Sequence, residues 1–357
     1  MMGASVRRAP LASAQKAPRV SIGLPVYNGE KWLEQALASL LAQTFVDFEL
    51  IICDNASTDR TADICRAYAE QDVRVRYVRN HENIGGMRNA TLAFELSRGE
   101  YFRWAAHDDV CEPTLIERLV EVLDGRPEVV AAVSPFTSID GQGERLADFC
   151  VGIAEGPKLW LRRKDRLLMT DQNGVRHPTE GTAGTPSRRF REVIMTVGPC
   201  EGSYALIRSD VLRRTCLQQP YTSSDNVMLC DLVLRGPFHI LDEALFSKRY
   251  HAANVHREIG PGRMVWSRPE LAKTGKVTLP YWLQLRGYIR TVTGAPVPFS
   301  ERIRCAVSIL RWARFRWRPL KGDLLFAAVM AVHSREWRRH CYDVDRWTEA
   351  NDPVASC

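Results

Sequence analysis

The chain has 357 residues, enough for one large α/β domain with extensions or for two small domains, and its 45% hydrophobic and 25% charged content is ordinary for a globular protein. The formal net charge of +7 is moderate and unevenly placed: the first half mixes signs, whereas residues 286–339 are rich in Arg. The 10 cysteines form no C-x-x-C pair and no zinc-like His/Cys spacing, which argues against a zinc module and for reduced thiols in a cytosolic protein.

Residues 1–18 lack the apolar run of a secretory signal and read as a disordered leader. The apolar segment Val20-Ser21-Ile22-Gly23-Leu24 predicts a strand closed by Pro25, and residues 30–42 place Trp32, Leu33, Ala36, Leu37, Leu40 and Leu41 at helical spacing. Residues 48–53 predict a second strand ending at Asp54-Asn55. Ser57 or Thr58 then caps a helix through Tyr68, and residues 73–78 predict a third strand. Gly85-Gly86 opens a helix to Leu96, followed by the aromatic strand Tyr101-Phe102-Arg103-Trp104. A helix from Pro113 to Leu123 and a strand over residues 129–134 continue the alternation. This βαβα rhythm predicts a Rossmann-like, mostly parallel mixed sheet flanked by helices, with ligands beyond the carboxyl ends of the strands.

Residues 139–191 lose the pattern and read as an irregular loop region, a candidate acceptor side. A helix is expected over residues 187–197 and a strand over 203–207. A further helix runs from Ser224, an N-cap, to Arg235 before Gly236-Pro237, and short strands follow at 238–241 and 244–250. The apolar run 324–332 is too short to span a bilayer.

The most informative stretch is Ala105-Ala106-His107-Asp108-Asp109. Adjacent carboxylates at the end of a buried strand are costly unless a cation sits there, and a divalent cation carrying a diphosphate would offset that cost. The plainer alternative is that one of the pair caps the next helix. Upstream, Tyr27 can lie against a nucleobase while Asn28 hydrogen-bonds it, with Pro25 stiffening the strand exit. Asp54, beside Asn55, can accept from a pyrimidine imide N–H or from ribose hydroxyls, or serve only as a turn residue. Arg88 can reach a phosphate, brace the nucleotide loop, or be a plain surface Arg.

Together these pieces resemble a family 2 glycosyltransferase of the GT-A fold over residues 20–251. The resemblance rests on Leu24-Pro25-Val26-Tyr27-Asn28-Gly29-Glu30, Asp54-Asn55-Ala56-Ser57-Thr58-Asp59, Asn83-Ile84-Gly85 with Arg88-Asn89, and Gly99-Glu100-Tyr101 leading to His107-Asp108-Asp109. It implies a nucleotide-sugar donor and an Mg2+ or Mn2+ ion. In the family the acidic motif is usually Asp-x-Asp; here Ala106 stands where the first acid is expected and Asp108 matches the metal-holding second acid. His107 can hydrogen-bond the nucleotide in place of the missing acid or lie behind the site. The same resemblance implies Asp225 as general base, with a plain N-terminal helix charge as the alternative, and His251 as a third metal ligand and Arg249 as a diphosphate clamp, with a structural strand-end pair as the alternative.

The domain reading is therefore a leader (1–18), a GT-A domain (19–255), an Arg-rich helical extension (256–345) and a tail (346–357). In the extension, Ile303, Ala306, Val307, Leu310 and Trp317 share a helical face among Arg302, Arg304, Arg311, Arg316 and Arg318. That composition suits peripheral contact with an anionic membrane through residues 298–339, or a helix packed on the core; no base-reading motif points to nucleic acid. The functional expectation is an inverting transferase moving a sugar, from a UDP- or dTDP-sugar above other donors, to a cell-envelope glycan or glycolipid. It would work in the cytoplasm, at the inner face of the plasma membrane. The rival is a non-catalytic nucleotide-sugar-binding scaffold with a degraded metal site, motivated by Ala106.

Overall fold

The computed structural model describes residues 17–146, 169–170, 175–177, 184–195, 201–251, 267 and 269–334. Strands and helices alternate from the start: β1 (Val20–Val26), α1 (Leu33–Leu41), β2 (Phe48–Asp54), α2 (Thr61–Gln71), β3 (Val75–Arg79), α3 (Gly86–Glu95) and β4 (Tyr101–Trp104). Then come β5 (Val110–Cys111), α4 (Leu115–Gly125), β6 (Ala131–Val133), β7 (Phe136–Ile139), β8 (Met169–Thr170), β9 (Val175–His177) and α5 (Pro186–Met195). The remainder is β10 (Leu206–Arg208), α6 (Ser209–Leu212), α7 (Ser224–Arg235), β11 (Phe238–Ile240), β12 (Phe246–Arg249), and helices α8 (Glu270–Thr274), α9 (Pro280–Gly294), α10 (Phe299–Phe315) and α11 (Trp317–Val332).

The main sheet has the order β11-β6-β10-β4-β1-β2-β3. All its pairings are parallel except those of β10, which lies antiparallel between β4 and β6. β2 is buried along its whole length, and its apolar run Leu50-Ile51-Ile52-Cys53 suits a parallel sheet covered on both faces. Alternation divides β4 between two cores. Phe102 and Trp104 pack with Phe94 of α3, Phe190 of α5 and the apolar side of α7, while Tyr101 joins Leu24, Leu37 and Leu119 on the other face. A second sheet, β5-β12-β7-β9-β8, is built from strands that follow β4, β6 and β11 of the first in chain order.

Several boundaries differ from the sequence reading for local reasons. β1 runs through Pro25 to Val26, because Pro25 faces the β4 side of the strand, where the β1–β4 register has already ended at Gly23. α1 starts at Leu33, after a turn closed by Gly29 C=O accepting from the Trp32 and Leu33 N–H groups. Neither Ser57 nor Thr58 caps α2: Asp59 Oδ1 accepts from Thr61 N–H at 3.0 Å, and Ser57 Oγ is taken by Asn28 N–H. Residues 201–204 form a 3-10 turn, so the next strand, β10, begins only at Leu206. The region expected to be irregular contains β8, β9 and the start of α5; its residues 147–168, 171–174 and 178–183, the leader up to residue 16 and the tail lie outside the described residues.

The helical extension shares its apolar cluster with the sheet domain. Tyr288, Val292, Cys305, Ile309, Trp312 and Leu320 are buried with Val227, Leu229 and Val233 of α7, and the Tyr288 hydroxyl donates to Asn226 Oδ1. α10 turns Cys305, Ser308, Ile309 and Trp312 inward. The stripe read as its apolar face lies on the other side: Ile303, Val307 and Leu310 are exposed, as is Trp317 at the start of α11.

Candidate active site

The loops after β1, β2 and β4 meet beyond the carboxyl ends of those parallel strands. Asn28 takes a left-handed conformation (φ 49°), which Asn tolerates better than most residues. Its N–H donates to Ser57 Oγ (3.0 Å) and its Oδ1 accepts from Thr58 N–H (2.9 Å), so the first loop is clasped to the second. Gly29 N–H donates to Thr61 Oγ1, and a Cβ at Gly29 would come within 2.7 Å of the His107 ring; glycine is what lets the third loop close on the first. Tyr27 projects from this clasp with 44% of its surface exposed, in position to offer a ring face.

Asp54 has a different place from the one its position suggests. It is fully buried, with Oδ1 accepting from Ser57 N–H (2.8 Å) and Oδ2 from the Tyr77 hydroxyl (2.8 Å) and Arg79 Nη1 (2.7 Å). Asn55 is likewise buried: its Oδ1 accepts from Ile84 N–H and Asn80 Nδ2, and its Nδ2 donates to Asn83 Oδ1. Both side chains are buried within the loops at the strand ends, with their polar atoms bonded to neighbouring loop residues. Arg88, on α3, is half exposed and reaches Glu270 at 3.9 Å.

The acidic motif is joined to the last strand of the second sheet. Asp108 Oδ2 and His251 Nε2 are 2.9 Å apart, and Trp32 stacks on the His251 ring at a centroid distance of 4.0 Å while its indole N–H donates to Gly141 C=O. Burial works against the Asp108 charge, but the His251 hydrogen bond and the neighbouring His107 and His251 charges outweigh it and hold the carboxyl below its usual range. His107 is pushed down by burial. Asp109 is the opposite case: buried beside the Asp108 charge, its pKa is pushed up to about 8, and its Oδ2 has no hydrogen-bond partner among the described residues. Asp109 Oδ1 accepts from Arg249 N–H at 2.8 Å.

Arg249 is 1% exposed, and its guanidinium donates to Asp108 C=O (2.7 Å), Asp140 C=O (3.0 Å) and Gln35 Oε1 (2.6 Å). Its place is therefore that of a brace holding the acidic loop, not of the diphosphate clamp that the family pattern implies. Asp225 lies apart on the first turn of α7, partly exposed, its Oδ1 accepting from Asn226 N–H. Ser223, at the helix start, has φ 64° and makes no side-chain cap; the hydroxyl that bonds back is Ser224 Oγ, to Gln219 C=O.

A divalent ion can be tested against this donor set. Two ligands in adjacent positions around an octahedral Mg2+ or Mn2+ stand about 3 Å apart, which matches the Asp108–His251 separation of 2.9 Å. No group of three or more His, Cys, Asp or Glu side chains is placed to hold a metal among the described residues. The pair therefore fits an ion that shares its remaining positions between substrate oxygens and water, as Mg2+ commonly does.

Trp32, Gln35, Tyr77 and Arg79 complete the site, and the sequence reading did not single them out for it. Trp32 sat in an apolar stripe at helical spacing, and nothing in that stripe distinguishes a core residue from one stacked on a histidine more than 200 positions away.

The sequence profile described as Glycosyl transferase family 2 matches residues 21–213. Glycosyltransferase GlyG of Streptococcus pneumoniae is 31% identical over 138 residues, 37% of this chain and 46% of that protein. An uncharacterized glycosyltransferase of Nostoc is 29% identical over 240 residues, covering 67% of this chain and 66% of its own length. The chain spans less than half the length of the first several curated relatives it matches. In three dimensions it is similar to residues 1–349 of S. aureus TarS in complex with UDP-GlcNAc, with a TM-score of 0.57, 15% identity, and coverage of 83% of this chain and 72% of the other.

Proposed function

The chain belongs to glycosyltransferase family 2, and on that footing we propose that it is an inverting, metal-assisted enzyme that moves a sugar from a UDP- or dTDP-sugar to a hydroxyl of a cell-envelope glycan or glycolipid. The observation that carries this reading is the 2.9 Å Asp108–His251 contact, which brings residues 143 positions apart together at the strand ends beside the exposed Tyr27. The fold shared with a UDP-GlcNAc complex supports a uridine nucleotide.

In this reading Tyr27 lies on the base, and the Asn28 amide nitrogen, which makes no hydrogen bond among the described residues, donates to it. Arg88 reaches the diphosphate from α3. When bound, Mg2+ or Mn2+ held by Asp108 and His251 neutralises charge on the diphosphate leaving group. Asp225 takes the proton from the acceptor hydroxyl as its oxygen bonds to the anomeric carbon. The carbon–oxygen bond to the diphosphate breaks on the opposite face, so the configuration inverts. The N-terminus of α7 favours the ionised carboxylate that this role needs. Residues 298–339 hold the enzyme at an anionic membrane on the cytoplasmic side. No described helix is long and apolar enough to cross a membrane.

Two measurements test this. Thermal stabilisation is measured across a panel of nucleotide sugars with and without Mn2+ or Mg2+, and the stabilising sugar is then used to determine the anomeric configuration of the product by NMR. A cation-dependent shift with one uridine or thymidine sugar and an inverted product are expected. A retained configuration would contradict single displacement, and nucleotide-sugar binding without any transfer would favour the scaffold reading.

A further inference from the structure

α5 and α10 enclose an open cleft of about 380 Å³. Arg188 and Arg191 of α5 and Arg304 and Arg311 of α10 line it, together with the hydroxyl-bearing Thr185, Ser187 and Ser308 and the apolar Val307. Two of the arginines have carboxylate partners: Arg188 pairs with Glu192 and Arg304 with Glu301, whose other oxygen accepts from Ser187 N–H. Arg191 and Arg311 form no ion pair among the described residues, and Arg191 Nε is buried without a hydrogen-bond partner. The cleft thus carries four guanidinium groups against two carboxylates, with unmatched N–H donors at its wall. Such a wall suits the tetrahedral oxygens of a phosphate, which guanidinium groups bind in pairs of hydrogen bonds.

The cleft is separate from the transfer site. α5 turns Phe190, Val193 and Ile194 into the core, and Arg189 Nε donates to Val233 C=O of α7. Arg188 and Arg191 lie on the opposite side, so a helix thickness, on the order of 10 Å, stands between the cleft and α7.

What adjoins the cleft identifies its occupant. Val307 lines it, and the same helix exposes Phe299, Ile303 and Leu310 to 77%, 50% and 70%. These residues recur at three- and four-residue spacing, so they form one ridge along α10 with Arg304 and Arg311 beside it. A contiguous apolar ridge edged by arginines is complementary to the boundary between lipid acyl chains and anionic headgroups.

We propose that the α5–α10 cleft seats the phosphate headgroup of an anionic membrane lipid, with the ridge of Phe299, Ile303, Val307 and Leu310 set into the acyl boundary beside it. This rests on the membrane contact read above for residues 298–339 and adds to it a defined headgroup site.

The test uses the full chain and phosphatidylcholine vesicles with or without phosphatidylglycerol. Arg191→Gln/Arg311→Gln is compared with Arg314→Gln/Arg318→Gln, which removes the same charge from exposed positions outside the cleft. The cleft pair is expected to weaken binding to phosphatidylglycerol vesicles by roughly tenfold or more, well beyond the outer pair. Near-ultraviolet circular dichroism verifies that both pairs fold. Leu310→Glu provides a second reading: it should cut vesicle binding while leaving affinity for glycerol phosphate intact. If both pairs weaken binding equally, diffuse charge suffices and the headgroup site is overturned while the membrane reading stands. If the native chain ignores phosphatidylglycerol vesicles at low salt, the membrane reading fails and the site with it. Binding of inorganic phosphate at the cleft without vesicle binding would likewise overturn the lipid assignment.

Discussion

Replacing Asp54 separates a loop-building carboxylate from a nucleotide-binding one. Its three acceptor contacts, to Ser57 N–H, the Tyr77 hydroxyl and Arg79 Nη1, are all 2.7–2.8 Å, and the carboxylate itself is fully buried. In Asp54→Asn only one oxygen remains. Turned toward Ser57, it leaves the new NH2 group facing the Tyr77 hydroxyl and the Arg79 guanidinium; turned toward Arg79, it sets NH2 against the Ser57 N–H. A hydrogen bond to a charged group contributes about 1.5–3 kcal/mol and a neutral one about 1 kcal/mol. The Arg79 side chain is 41% exposed, so it can turn to water and recover part of its loss. The expected destabilisation is therefore about 2–4 kcal/mol, read as a lowered denaturant midpoint by tryptophan fluorescence. The partner measurement is Tyr27→Ala, which should leave the midpoint in place and lower nucleotide affinity by roughly tenfold, the scale of one lost base stack. An Asp54→Asn protein with an unmoved midpoint and no nucleotide binding by calorimetry would refute the structural assignment and restore the carboxylate to the base.

Three further outcomes follow from the site. Asp108→Ala should abolish the Mn2+-dependent part of nucleotide-sugar stabilisation in a thermal shift assay; an unchanged cation response would remove Asp108 from the metal. Asp225→Asn should lower kcat by about a hundredfold or more with donor affinity nearly unchanged, and equal losses in titration and turnover would point to a role in holding α7. Asp109, pushed up to about 8 by burial and by the Asp108 charge, stabilises the fold in its protonated form. Its contribution is fully present below the ordinary carboxyl range near about pH 4 and is lost as pH rises through about 8. Asp109→Asn should flatten the unfolding midpoint across that window and exceed the native protein in stability above it; an unaltered pH slope would show that another group carries it.

What the sequence made legible follows from the range of the forces involved. β2, β4 and α7 were readable because an apolar run, an aromatic run and a Ser–Gly bracket are local patterns with local causes. The pairing of Asp108 with His251, 143 positions apart, came from resemblance and not from any spacing. Arg249 shows where such carry-over stops: its position was marked, but its hydrogen bonds depend on Gln35, the Asp140 and Asp108 carbonyls and the Asp109 carboxylate folding around it. For α10, periodicity marked one apolar stripe and could not say whether it meets a membrane or the core. The buried face includes Glu301 and Ser308, and Glu301 is accommodated because the Ser187 N–H and Arg304 satisfy it.

The antiparallel slot of β10 has a consequence for how the molecule is made. β4 and β6 are not neighbours; each pairs with β10, whose residues follow those of β6 by more than 70 positions. At a synthesis rate of roughly 5–20 residues per second, the nascent chain spends on the order of several seconds with β1–β4 assembled and the outer edge of β4 bare. During that interval the aromatic strand that leads to the acidic loop is an open template for pairing with other chains. The Arg249 brace arrives later still, so a ribosome-bound chain released before β12 would carry Asp108 without the partners that hold it in place.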